Sequence, residues 1–108
     1  MTCDYRLKKE KEFSFVFKKG SKLYSNNLTL VYAPADKLKA GFAVSKKHGG
    51  AVQRNKIKRY LREAFRSFTP SLRKNFFFVF IPKVAENYSF ADFKESMQFI
   101  FQKGGFLV

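Results

Sequence analysis

Residues 46–66, KKHGGAVQRNKIKRYLREAFR, carry eight Lys or Arg against the single acid Glu63, yet keep apolar residues at regular intervals. Winding residues 52–68 at about 100° per residue gathers Ile57, Leu61, Ala64, Phe65 and Phe68 into one stripe, the core-facing side of a helix. Arg54, Lys58, Arg62 and Arg66 follow one another at four-residue spacing along the adjoining face, with Asn55 and Arg59 beside them. Like charges four residues apart repel by about 0.2–0.5 kcal/mol per pair, so this ridge costs stability. A merely solvated face would interleave its signs. The ridge therefore points to a folded polyanion, which Arg grips through a planar fork on phosphate and Lys through a mobile point charge. Gly49 and Gly50, just before the helix, have two readings. They form a simple turn, or they let the backbone approach a phosphate held at the helix's first-turn N–H groups.

The rest of the chain agrees with a folded cation. Its 108 residues fit a single domain with a real core, and 22 basic against 8 acidic residues leave a net charge of +14. So large a charge strains the compact state unless a polyanion screens it, which makes nucleic acid the leading partner and an anionic membrane surface the second. The longest apolar run, Phe76–Ile81, has six residues against the roughly 20 needed to span a bilayer. The N-terminal MTCDYRLKKEKEF is charged with no apolar stretch after it, so it is no secretory signal and a cytoplasmic location is expected. Cys3, the lone cysteine, suits a reducing compartment.

Punctuation at Gly20, Pro34, Gly49-Gly50, Pro70, Pro82 and Gly104-Gly105 marks the ends of elements. Residues 8–19, KKEKEFSFVFKK, place Phe13, Val16 and Phe17 at i, i+3 and i+4 of a short amphipathic helix ended by Gly20. LTLVYA (28–33) and AGFAVSK (40–46) are strands by their β-branched and aromatic content, and a further strand near Tyr24 is possible. FFFVFI (76–81) suits a central strand covered on both faces. Ser89 caps a last helix, with Phe90, Phe93, Met97, Ile100 and Phe101 as its core stripe and Gly104 as its stop. The expectation is an α+β fold: a small sheet of three or four strands with three helices, in the order α-β-β(-β)-α-β-α, forming one domain over 1–108.

Catalytic groups are scarce. The eight acids are scattered without the paired spacing of a two-metal carboxylate site. His48 has no second His or Cys ligand near it in sequence, and a loop contact to phosphate or solvent is expected of it rather than a metal. No cofactor, small-molecule ligand or metal is expected in the protein, and hydrolysis by this chain alone is not.

The segment SKKHGGAVQRNKIKRYLREAFR closely resembles the signature of the protein subunit of bacterial ribonuclease P, in which Lys-Lys, a Gly, Ala-Val, Arg-Asn and Lys-Arg lead into a helical Arg-Glu pair. RLKKEKEFSFVFKKG, LTLVYA and GFAVSKK extend the resemblance in order over most of the chain. One departure is Gly50, where the family commonly carries Asn. The resemblance implies that the small sheet is mixed, with a left-handed crossover through the Arg-Asn helix, the minority hand for such connections, and that residues 1–108 form a single RNA-binding domain. It implies two RNA partners: a large catalytic RNA, which performs the chemistry with magnesium, and precursor tRNA, whose 5′ leader is removed. Lys46, Lys47, Arg54, Asn55, Lys58, Arg59, Arg62 and Arg66 are then expected to face the catalytic RNA. Phe13, Phe17 and Tyr32 match the aromatic positions of a cleft for the single-stranded leader, where flat rings stack on unpaired bases. Helix-to-core packing is the competing reading for Phe13 and Phe17. A ribosomal or assembly protein would share the basic ridge but has no use for such a cleft. Peripheral membrane binding is disfavoured because the apolar face of the basic helix is needed for the core.

Overall fold

The computed structural model of the chain describes Leu7 and residues 10–107. Cys3 and the first two residues of the expected N-terminal helix lie outside the described residues. The elements are α1 (Glu10–Lys19), β1 (Ser21–Tyr24), β2 (Leu28–Pro34), β3 (Lys39–Phe42), α2 (Ala51–Phe68), β4 (Phe76–Pro82) and α3 (Phe90–Gly104), with short 3-10 turns at Lys46–His48 and Thr69–Ser71. The strands form one mixed sheet in the order β1-β2-β4-β3. β2 runs antiparallel to β1 and β4, whereas β3 and β4 are parallel neighbours joined through α2. The architecture is the expected α+β arrangement, with the strand near Tyr24 present as β1.

Alternation along the strands sends side chains to two cores. Leu28, Leu30, Ala40, Phe78 and Phe80 meet Ile57, Leu61, Ala64 and Phe65 of α2 and Phe93, Met97, Ile100 and Phe101 of α3. Four of the five residues in the α2 stripe are thus fully inside, and Phe68 packs against them half-buried. On the opposite face Val31, Ala33 and Val79 pack under Val16 of α1 and Leu7, with Phe13, Phe77 and Ile81 at the margin. β4 has one core on each side, which is why its run lacks the polar alternation of a half-solvated strand.

Two boundaries differ from expectation. The strand over 40–46 stops at Phe42, because Ser45 turns out of the sheet to cap the following 3-10 turn. Gly104 is the last residue of α3 rather than its stop. Gly105 takes the left-handed conformation (φ 71°), and Phe106 N–H donates to Phe101 O at 3.0 Å in a Schellman-type ending. Ser89 caps α3 as its spacing indicates, its hydroxyl accepting from Asp92 N–H at 3.1 Å. Among the described residues, no helix is long and apolar enough to cross a membrane.

Candidate nucleic-acid interface

α2 buries its apolar stripe under the sheet and thereby holds the cations outward. Asn55, Arg59, Arg62 and Arg66 are exposed, while Arg54 and Lys58 are half-buried. None of these cations holds an ion pair among the described residues, although Glu63 lies in the same helix; by contrast Lys39 on β3 pairs with Glu12 on α1 at 2.9 Å. Arg54 goes further: its Nε is out of solvent and has no hydrogen-bond partner among the described residues. A buried guanidinium N–H without an acceptor is costly, so an outside acceptor would relieve it. Arg66 differs from the rest. It sits in the last turn, where a cation is favoured by the helix dipole alone.

The lead-in to α2 settles the two glycines differently. Gly49 has φ 127°, a backbone conformation that side-chain-bearing residues rarely adopt, so the turn itself requires glycine. Gly50 is the N-cap of α2, extended and without any side-chain cap, and a Cβ built there meets nothing within 4 Å. Gly50→Asn should therefore be accepted and should stabilise the helix start by about 0.2–0.5 kcal/mol, read as a small rise in melting temperature.

His48 is not the loop contact to phosphate or solvent that its neighbourhood suggests. It is 8% exposed, Ser45 N–H donates to its Nδ1 at 3.1 Å, and its Nε2 lies 2.6 Å from Pro82 O. With Nδ1 accepting, the ring proton sits on Nε2 and is donated to the Pro82 carbonyl.

The three expected cleft aromatics separate. Phe13 and Phe17 occupy one flank of α1. Phe13 lies over Gly41 of β3, so close that a Cβ on Gly41 would come within 2.5 Å of the ring's Cζ, and it is half-buried there. Phe17, one turn on, is 46% exposed. Phe15 has its ring edge-on to Phe77 at 6.4 Å. Two residues turn a helix by about 200°, so Phe17 lies on the flank of α1 away from the Phe15–Phe77 contact. Tyr32 does not join them: residues 28, 30 and 32 share the face covered by α2 and α3, and the Tyr32 ring packs edge-on against Phe76 at 6.1 Å and Phe106 at 4.8 Å. Its place in the cleft is a correction dictated by strand parity.

Beyond the edge of α1 the sheet face lies open. Thr29, Ala43 and Ile81 floor a groove of about 540 Å³ whose rim carries Lys47, Lys83 and Val84. Tyr24 pairs with Thr29 across β1 and β2, shares this face and is 55% exposed. The positions of Lys83 at this groove and of Tyr24 on its face were not anticipated from sequence; the only signal for Lys83 is a base placed directly after the apolar strand. At the β3 edge a smaller cavity of about 260 Å³ brings Lys58 and Arg62 together with Phe13 and Leu7, so the ridge of α2 and the aromatic flank of α1 adjoin. Lys46 and Lys47, both exposed, precede α2 in the lead-in turn, and Lys47 lines the groove. Among the described residues no three His, Cys, Asp or Glu side chains gather to hold a metal.

A family model described as Ribonuclease P matches residues 1–105. A ribonuclease P protein component from Shouchella clausii is 38% identical over 107 residues, covering 95% of this chain and 88% of that one. The RNase P protein structure from Staphylococcus aureus superposes with a TM-score of 0.85 at 26% identity, covering 98% of this chain and all of the other. The RNase P protein from Thermotoga maritima gives 0.81 at 28% identity, covering 91% and 96%.

Proposed function

This chain belongs to the family of bacterial ribonuclease P protein components, and from that premise we propose how its two surfaces divide the work. It is the non-catalytic protein subunit of an RNA-based endoribonuclease in tRNA 5′ processing, and its partner is RNA. As one RNA-binding domain, it anchors to the catalytic RNA through Lys46, Lys47, Arg54, Asn55, Lys58, Arg59, Arg62 and Arg66. The groove beside α1 receives the single-stranded 5′ leader of precursor tRNA: Phe17 and Tyr24 offer ring faces, Phe13 braces the flank of α1, and Lys47 and Lys83 meet the backbone. Magnesium belongs to the RNA active site, and no residue of this chain takes part in breaking the phosphodiester bond. The enzyme acts in the cytoplasm.

One observation carries this reading: an apolar groove on the sheet face that the exposed Tyr24 shares, with two lysines on its rim that hold no ion pair among the described residues. Stacking on a ring needs no particular base, and the lysines follow the backbone, so the groove suits unpaired RNA of any sequence. A precursor then binds better than a mature tRNA, and product leaves readily. The protein also neutralises charge between two RNAs, which matters most when magnesium is low.

The direct test is cleavage of a precursor tRNA at low magnesium with the cognate catalytic RNA alone, this protein alone, and both. Stimulated 5′ maturation only in the mixture is expected. RNA binding without any change in cleavage would favour an RNA-packing role instead. Within the mixture, Phe17→Ala should weaken precursor binding by about tenfold, the value of one lost base stack, and leave leaderless tRNA unaffected. Equal weakening of both would remove the leader from this groove.

A further inference from the structure

We infer that His48 is a positioning residue, holding Lys47 and Lys83 on the rim of the groove at the separation that a strand of RNA needs. The inference rests on the reading of the groove as the leader site. His48 touches no RNA in this scheme; it acts through the two segments it ties together.

Both ring nitrogens are engaged, and they face different segments. Nδ1 accepts from Ser45 N–H within the lead-in turn, in the reciprocal arrangement in which the Ser45 hydroxyl accepts from Lys47 N–H at 3.4 Å. Nε2 donates to Pro82 O, the last residue of β4. Lys47 is the residue before His48, and Lys83 is the residue after Pro82. The 2.6 Å bond therefore joins the two segments that carry the rim lysines. Along the lead-in, the preceding link to β4 is Ala43 N–H to Phe80 O at 2.9 Å, well back from Lys47.

The imidazole also steadies the far wall. Tyr88 lies tilted against it at 6.3 Å between ring centroids, takes Ala85 N–H on its hydroxyl at 2.9 Å, and stacks on Phe93 of α3 at 5.9 Å. The loop from Lys83 to Tyr88 is thus linked through one ring to both the lead-in and α3. Two lysines on one rim repel each other, and a lead-in released from β4 would let them part. An isolated structural histidine could be traded for any residue of equal volume; this one has a donor and an acceptor committed to different segments.

The test uses the holoenzyme assembled with its cognate catalytic RNA, comparing KM and kcat for precursor with affinity for mature tRNA. His48→Ala should reduce the preference for precursor over mature tRNA by roughly threefold to tenfold, the worth of one buried hydrogen bond, with the change in KM rather than kcat. His48→Gln, whose amide N–H reaches toward Pro82 O, should restore most of the preference. His48→Asn, which reaches only as far as the Ser45 side, should not.

A merely structural histidine predicts a different pattern. His48→Ala would melt earlier yet keep the full preference when assayed well below its melting temperature, which would overturn the inference. Equal rescue by Asn and Gln would overturn it as well, and this comparison stands even if the alanine variant fails to fold. Phe17→Ala and Lys83→Ala run alongside. If they lower the preference and His48→Ala does not, only the positioning role falls; if none of the three changes it, the leader reading itself falls.

Discussion

Replacing Arg54, Lys58 and Arg62 together with Gln should weaken binding to the catalytic RNA by roughly 100- to 1,000-fold and reduce the slope of log affinity against log salt by about 3. Each of these side chains stands free of any ion pair among the described residues, so its charge is available to a phosphate. A phosphate contact releases counterions in proportion to the charge neutralised, and that release supplies the salt dependence. Stability should move the other way. The triple variant removes repulsion at four-residue spacing along α2 and an unsatisfied buried N–H at Arg54, and so should melt at or slightly above the parent. Opposite signs on binding and stability separate this outcome from general damage. Binding titrations at several salt concentrations beside a thermal melt would decide it, and an unchanged salt slope would take these three residues off the RNA interface.

The ridge is legible from sequence because it depends on one helix and one period. Once Ile57, Leu61, Ala64 and Phe65 are assigned to the core, the direction of Arg54, Lys58 and Arg62 follows without knowledge of any other element. Phe13 and Phe17 share a flank for the same reason. What joins separate segments is hidden. Tyr32 matched the family's aromatic position, yet the face it occupies depends on β2 pairing, and residue parity turned it into the main core with Phe76 and Phe106. His48 looked solvent-facing because its neighbours are lysines and glycines; its acceptor, Pro82 O, lies 34 residues away. Lys83 was one base among 22 until the end of β4 placed it on the same rim as Lys47. The truncation of β3 at Phe42 has the same origin, since Ser45 leaves the sheet to satisfy a turn whose other partner is that histidine.

Gly20→Ala should cost about 2–3 kcal/mol, a large share of the roughly 5–15 kcal/mol that holds a domain of this size together. From sequence Gly20 is simply the residue that ends α1. Its φ is not positive, so the requirement for glycine is one of space rather than handedness. Gly20 N–H donates to Val16 O at 2.7 Å, and a Cβ at this position would press on that same carbonyl, lie 2.7 Å from Tyr32 O and sit 2.9 Å from Val31 Cγ1. Two of the three are backbone oxygens of a helix and a central sheet strand, which cannot rotate aside as a side chain would. Relief therefore requires α1 to lift from β2, opening the contact of Val16 with Val31 and Val79 and displacing Phe17 with the helix. The melting temperature should fall on the order of 10–20 °C. At a temperature where the variant remains folded, precursor affinity should fall, while binding to the catalytic RNA, proposed above to run through α2 across the sheet, should be retained. A melt within about 2 °C of the parent would mean that α1 is not seated on β2 at this distance.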